Sequence, residues 1–494
     1  MNRIFVCFSV LFTMFLTGCS DLSEINENPN NVIEAHPQLL FTELSHRAFA
    51  VEGREIMFAA RMFVLTEGEH QGQYYSWQRG GFGDYNRLRD VFKMMEAAER
   101  MESDAYLGVA KFFKAYYFYR LTLTFGDIPY TEALLAETEE VYTPAYDSQK
   151  TVFMGILQEL EEANGLLAGT DKLLAGDIIY GGDPLAWRKL VNSFRLRVLM
   201  TLSNKVSDSD LDVASTFASI VDGQPIITSN AESGALTFID QDGSQYTEFN
   251  NASYGSGMYM DGTFIQKMQD HGDPRLFLFC GRTRNAKESG LAKDDFDAYK
   301  GGDPLAPYAE VNDQAAAGDA SKAHVRYSTE PTTEPHNLLG YHEVEFLLAE
   351  ATVRGWIGGN AQAHYENGVR ASFDFYNAHA SSGLEVYVEP ADADAYLAGT
   401  LVDFANATSD QERIERIITQ KYFTSFLQSG SRMYFDHLRT GYPEFAHTAD
   451  ATPPTRWMYP QSEYLRNEAH VAVAISSQFG AGNDGIRQIP WWLQ

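Results

Sequence analysis

Apolar residues recur every three or four positions through long stretches of this 494-residue chain, and that spacing commits most of it to helices packed on one another. Tyr106, Val109, Ala110, Phe113, Tyr117, Leu121 and Thr124 fall on one helix face. So do Val344, Leu347, Leu348, Ala351 and Gly355, and again Ile414, Ile417, Ile418, Tyr422 and Phe426. Further helices are predicted near 38–66, 85–102, 149–167, 185–204, 361–378 and 432–440. With 44% hydrophobic residues the chain can bury a sizeable core, which excludes wholesale disorder. Asp183-Pro184 and Asp303-Pro304 each place a capping acid before a proline suited to a first helical turn. Both belong to the hexapeptide Gly-Gly-Asp-Pro-Leu-Ala, found at 181–186 and 301–306 and read as a recurring loop-to-helix device. No fixed period appears elsewhere, so a consensus solenoid is excluded, while short-looped helix pairs suit a degenerate tetratricopeptide-like stack.

Between about 223 and 335, and again from about 441 to 494, the periodicity weakens and Gly, Asp, Ser, Thr and Tyr take over. Long irregular segments in a compact protein are usually functional loops carried by a rigid scaffold. The predicted architecture is all-α dominated, a helical platform with loop-rich excursions.

The first residues address the chain for export. A short positive start, Met1-Asn2-Arg3, precedes an apolar run from Ile4 to Leu16 that is 13 residues long, too short to span a bilayer. Leu16-Thr17-Gly18-Cys19 then reads as a lipobox, with Cys19 the lipidated residue. Residues 1–18 are thus predicted to be a lipoprotein signal peptide, 19–36 a lipidated tether and 37–494 the folded domain. Of three cysteines only Cys280 remains in the mature fold, so no intramolecular disulfide is expected, and its setting in Leu-Phe-Leu-Phe-Cys reads as a buried small hydrophobe.

Charge and motifs narrow the function. A net charge of −29 without a basic stripe argues against nucleic acid as a partner. His342-Glu343-Val344-Glu345-Phe346 begins like a zinc-protease helix but has Phe346 where a second His is required. No nucleophile elbow, P-loop or dinucleotide fingerprint is present. Asp294-Asp295-Phe296-Asp297 is the one calcium candidate; lacking the spaced ligands of an EF-hand loop, it reads first as a solvated acidic turn, and no other cofactor is expected. A carboxylate pair for glycoside hydrolysis depends on a separation in space that the sequence does not give.

Several segments resemble one family in order along the chain. They are the lipobox with Ile25-Asn26-Glu27-Asn28-Pro29-Asn30, then Thr124-Phe125-Gly126-Asp127-Ile128-Pro129-Tyr130-Thr131-Glu132-Ala133. Gly182-Asp183-Pro184 with Trp187, Asn192-Ser193-Phe194-Arg195-Leu196-Arg197 and Phe346-Leu347-Leu348-Ala349-Glu350-Ala351 follow. Ile418-Thr419-Gln420-Lys421-Tyr422 and Arg456-Trp457-Met458-Tyr459-Pro460-Gln461-Ser462-Glu463-Tyr464 complete the series. On these the chain resembles the SusD/RagB nutrient-binding outer-membrane lipoproteins of Bacteroidetes, on the SusD-like side. The resemblance implies a SusD-like fold of four tetratricopeptide-like helix pairs with a loop-rich ligand face. It also implies a non-catalytic protein lipid-anchored at the cell surface, which delivers oligosaccharide or polysaccharide to a SusC-type TonB-dependent transporter. Peptide cargo, as on the RagB side, is the alternative, and a lipid-anchored glycoside hydrolase a third.

Sugar rings stack on aromatic faces and present hydroxyls to amides, carboxylates and guanidinium groups. Residues 69–79 combine both chemistries: Gln73, Tyr74, Tyr75, Trp77 and Arg79. The resemblance makes Trp77 the first candidate for a stacking platform, its alternative being an anchor of the loop to the scaffold. Of Tyr74 and Tyr75 only one is expected to face outward. Asn250, Tyr254 and Tyr259 form a second candidate group. Trp457 reads as a packing or partner contact.

Overall fold

The computed structural model describes residues 36–50, 55–379, 391–428 and 430–494. The signal segment and nearly all of the tether, Cys19 included, lie outside the described residues. The long helices are α1 (Pro37–Phe49), α2 (Gly83–Arg100), α3 (Asp104–Phe125), α4 (Gln149–Ala168), α5 (Pro184–Thr201) and α6 (Val213–Gly223). After the loop-rich middle come α7 (Tyr341–Val353), α8 (Ala361–His379), α9 (Asp410–Phe423), α10 (Arg432–Thr440) and α11 (Glu468–Phe479). From α2 to α6 each helix packs on the next, while α7 packs on α8, α9 and α5. None among the described residues is long and apolar enough to cross a membrane.

The centre of this stack is α3. Its predicted stripe is only part of what it buries: Phe112, Tyr116, Phe118 and Leu123 go inside as well, so the helix is covered on most of its circumference. Gly108 lets α4 approach, because a side chain there would collide with Leu167 at 2.9 Å. Trp187, capped into α5 by Asp183, fills the space between Phe41, Phe112 and Phe113.

The second helical layer is joined by charge. Glu343 and Glu350 lie two turns apart on α7, and Arg432 and Arg439 two turns apart on α10. Arg432 pairs with Glu343, and Arg439 Nη2 donates to Glu350 at 2.9 Å. Arg197 of α5 completes the first rung, donating to both oxygens of Glu343 at 2.8 and 2.7 Å. Lys421 of α9 meets Asp436 of α10 at 2.6 Å. Burial alone would raise the Glu343 and Glu350 carboxyls, but the surrounding cations outweigh it and hold both below the usual range. The zinc-protease-like opening is therefore a structural ion pair, and its neighbour His342 is kept neutral by burial, with its pKa pushed down to about 3.

Two expectations are corrected. The stretch 38–66 is not one helix: α1 stops at Phe49, a separate five-residue helix covers Glu55–Ala59, and β1 (Phe63–Leu65) is extended. The other strands are β2 (Gly234–Leu236), β3 (Met258–Met260) and β4 (His336–Leu339); β1 pairs antiparallel with β3, and β2 with β4. Phe63 and Leu65 stand opposite Met260 and Met258, a cross-chain pairing that local periodicity does not encode. The second hexapeptide leads to a helix only after an interruption: the helix Tyr308–Ala316 begins past Pro307, not at Pro304. Asp183 and Asp303 both accept the Leu N–H two residues on, at 2.8 and 2.9 Å. Trp187 then continues the first copy into α5, but Pro307 follows the second; it lacks an N–H and disfavours helix at Ala306. The second copy instead packs its glycines against β3. Gly262 N–H donates to Gly302 at 2.7 Å, and a side chain on Gly301 would lie 2.4 Å from Asp261.

Removing one member of the ladder leaves its partners buried and uncompensated. Glu350→Ala is expected to destabilise the protein by about 3–5 kcal/mol, read as a lowered midpoint in urea unfolding.

Candidate ligand-binding site

Residues 66–82 leave β1 as a loop whose side chains are mostly used to fix it. Arg61 is buried, donates to Gln73 O at 2.6 Å and to Ala446 O at 2.8 Å, and lies 4.1 Å from the Tyr75 ring centroid. Gln73, 1% exposed, accepts from Leu65 N–H at 2.9 Å. Tyr75, also 1% exposed and in the left-handed region at φ 51°, donates its hydroxyl to Ala59 O at 2.8 Å. Tyr74 stays half-buried and donates to Ala306 O at 3.0 Å. The burial of Gln73 and Tyr75 removes both from the set of groups open to a ligand.

The loop closes against the C-terminal segment. Gly80 N–H donates to Met458 O at 3.0 Å and Met458 N–H to Gln78 O at 2.9 Å, a parallel bridge between strands almost 380 positions apart. Gly80 is required at this approach, since a side chain would come within 2.7 Å of Phe125. Trp77 is 5% exposed, donates Nε1–H to Arg456 O at 3.2 Å, and stacks on Trp457 with centroids 4.5 Å apart and planes 10° apart. As an open platform Trp77 is corrected: it is the buried layer beneath Trp457, which stays partly exposed. Arg79 is likewise a staple, donating to Tyr459 O at 2.6 Å and pairing with Asp484 at 3.2 Å.

Both rings border a cleft of about 560 Å³, within the range of small-ligand sites. Trp457 and Trp77 meet it with Glu69, His70, Gln71 and Arg120. His70 stacks on Phe58 at 3.8 Å and pairs with Glu55 at 2.6 Å, and Arg120 is held by Asp84 at 2.8 Å. An aromatic floor with carboxylate, amide, imidazole and guanidinium groups at its edge is suited to rings bearing hydroxyls. Sequence reasoning missed Trp457 as the exposed ring; its signal was its place beside Arg456, in a motif read as packing.

The second candidate group lies elsewhere. Tyr254 is 6% exposed, whereas Tyr259 is half-buried on β3 with Lys322 Nζ 4.8 Å from its ring. Both line a separate cavity of about 520 Å³. Asn250 is exposed at φ 57°, its N–H donating to Ser328 O at 2.9 Å, and is outside that lining. Burial therefore excludes Tyr254 as an open contact. Asp295, in the calcium candidate, accepts from Asp297 N–H at 3.0 Å and caps a short turn. Among the described residues no group of three or more His, Cys, Asp or Glu side chains is placed to hold a metal ion. Cys280 is buried, and burial pushes its thiol well above the ordinary value.

The described residues thus form a helical scaffold that carries an aromatic-bordered cleft. The profile described as "Starch-binding associating with outer membrane" matches residues 29–460, and the chain belongs to this SusD-like family. It is 48% identical to a SusD homologue of Bacteroides fragilis, with a TM-score of 0.89 over 93% of this chain and 100% of that one. An outer membrane protein of Bacteroides vulgatus is similar to the same degree, at 48% identity, TM-score 0.89 and the same coverage of 93% and 100%. A second Bacteroides fragilis SusD homologue is 32% identical, with a TM-score of 0.87 over 93% of this chain and 100% of that one. No curated protein matches the chain. Proteins of the family bind nutrients and associate with the outer membrane.

Two outcomes follow from the packing. Trp77→Ala should cost about 3–5 kcal/mol of stability, as for a buried aromatic, visible as a lower Tm. The second concerns Asp127, whose carboxyl burial pushes up to about 7 despite the Gln149 N–H at 2.7 Å. Between about pH 4 and 7 the folded state keeps this proton and the unfolded state has lost it, so the group's contribution to stability falls as pH rises from about 4 to 7 and levels off above that. Asp127→Asn should therefore gain Tm relative to the parent between pH 5 and 8; a pH-independent difference would contradict the assignment.

Proposed function

We propose that this protein captures oligosaccharide or polysaccharide at the cell surface, seats a sugar ring on Trp457, and delivers it to a SusC-type TonB-dependent transporter. In this reading the mature chain hangs from the outer membrane by lipid on Cys19. The Trp77–Trp457 stack carries the proposal. Trp77 is locked by its hydrogen bond to Arg456 O, so the ring above it is held flat and in place before any ligand arrives. A preset platform reduces the ordering that binding would otherwise require. Glu69, Gln71 and Arg120 supply donors and acceptors for ring hydroxyls around it. The protein is read as a binder without catalysis, its cargo released unchanged.

Affinity gel electrophoresis of the mature protein against a panel of polysaccharides tests this, with peptides titrated in parallel by calorimetry. Retardation by one glycan class is expected, with Trp457→Ala weakening it by about 1–3 kcal/mol while the protein stays folded at the assay temperature. Heat on adding peptides, with no glycan retarded, would replace the cargo by peptide. Reducing ends released during incubation would contradict the non-catalytic reading.

A further inference from the structure

The cavity beside β3 differs in charge from the rest of the molecule. The chain carries 67 acids against 38 Lys and Arg, so nineteen residues drawn at random would include two or three acids and one or two cations. The nineteen that line this cavity include no acid and five cations: Arg282, Arg284, Lys287, Lys293 and Lys322. His324 adds no positive charge of its own; burial, with Arg326 and Lys287 nearby, lowers its pKa to about 3 and leaves it neutral.

Carbonyl oxygens hold two of the cations in place, and Arg284 also pairs with Glu288 at 3.9 Å. Lys322 Nζ donates to the carbonyls of Gly255 and Ser256 at 2.8 and 2.7 Å, and Arg284 to that of Ala316 at 2.7 Å. Carbonyls fix position without cancelling charge, as a carboxylate would. Gly318, at φ 85°, lets Arg284 lie flat on the backbone, since a side chain there would sit 2.7 Å from its Nε. Lys287 and Lys293 have neither an ion pair nor a side-chain hydrogen bond among the described residues. The nearest acids stand outside the lining: Glu288 at 3.9 Å from Arg284, Glu67 near Lys322, and Asp294 and Asp295 near Tyr299. A recess lined by one sign of charge focuses its field on whatever enters.

We propose that this cavity is a second saccharide subsite, selective for sugars bearing an anionic group, a uronate carboxylate or a sulfate ester, with Lys287, Lys293 and Arg284 as the counter-charge and Tyr259 as part of the wall. The inference rests on the reading of the chain as a glycan binder and adds to it a class of ligand. A sugar is favoured over an acidic peptide because β3 has no free edge to take up a strand. It pairs with β1 on one side, and on the other Met260 N–H donates to Ser321 O at 2.9 Å and Gly302 N–H to Met260 O at 2.9 Å.

Calorimetric titration of the mature protein with oligogalacturonate, with a sulfated chondroitin oligosaccharide, and with the neutral glycan retained in the panel tests it. Binding of at least one anionic oligosaccharide in low salt is expected. The double variant Lys287→Gln/Lys293→Gln should weaken it about tenfold, the scale of two exposed-charge contacts, and 0.5 M NaCl should weaken it further. Neutral-glycan binding should be unchanged in that variant. Which of the two oligosaccharides binds assigns the group as carboxylate or sulfate. Neutral glycan bound with neither anionic one bound, or anionic binding indifferent to the double variant, overturns this inference and leaves the Trp457 reading standing. Loss of all glycan binding, neutral and anionic, overturns both.

Discussion

The Glu343–Arg432 and Glu350–Arg439 rungs decide how the second half of the molecule stands on the first. Packed apolar helices can slide and rotate within a few kcal/mol, because dispersion has little directional preference. Two bidentate-capable pairs spaced two turns apart on α7 and α10 allow one register only, and Arg197 ties that register to α5. These groups are buried, so a slip of one turn would leave carboxylates and guanidinium groups without partners. The ladder therefore defines where α10 begins, and with it where Ser431 and the chain leading to Trp457 lie.

The cleft inherits that precision through two segments far apart in sequence. From the N-terminal side, the loop after β1 is held by Arg61, Gln73 and Tyr75, which face inward and leave the outer surface to Glu69, His70 and Gln71. From the C-terminal side, residues 456–459 lie along 77–80, and Arg456 is anchored by Asp484 at 2.6 Å. Trp457 is supported from below by a second indole. The arrangement divides labour between the two rings: one provides stability and the other a surface.

Much of the scaffold was legible in the sequence because helices announce themselves locally. The spacings around Tyr106–Thr124 and Ile414–Tyr422, and the Asp183-Pro184 start, correspond to α3, α9 and α5, while Phe426 falls in the turn after α9 ends at Phe423. What failed depended on partners distant in the chain. Phe63-Val64-Leu65 sits within a helical-looking run and becomes a strand only because residues 258–260 pair with it. Asp303-Pro304 carries the same local signal as Asp183-Pro184, and Pro307 displaces the helix start to Tyr308. At the site, composition pointed to the right loop but not to its exposed atoms: an aromatic-rich segment uses most of its rings to secure itself. Trp77 and Tyr75 went inside, and the exposed ring came from the other end of the chain. The charge of the β3 cavity was masked by the chain's net charge of −29: four of its cations lie within residues 282–293, interspersed with Glu288 and followed by Asp294 and Asp295, and only the fold adds Lys322 and keeps the acids out of the lining.

The central claim is that ligand meets the protein at the junction of the 69–77 loop and the 455–458 segment. Hydrogen exchange of the mature protein, with and without a polysaccharide that it retains, measures this most directly. The account predicts slowed exchange at 69–73 and 455–458, with α4 and α8 unchanged. Slowing confined to other surfaces, with both of these segments exchanging as in the free protein, would contradict it.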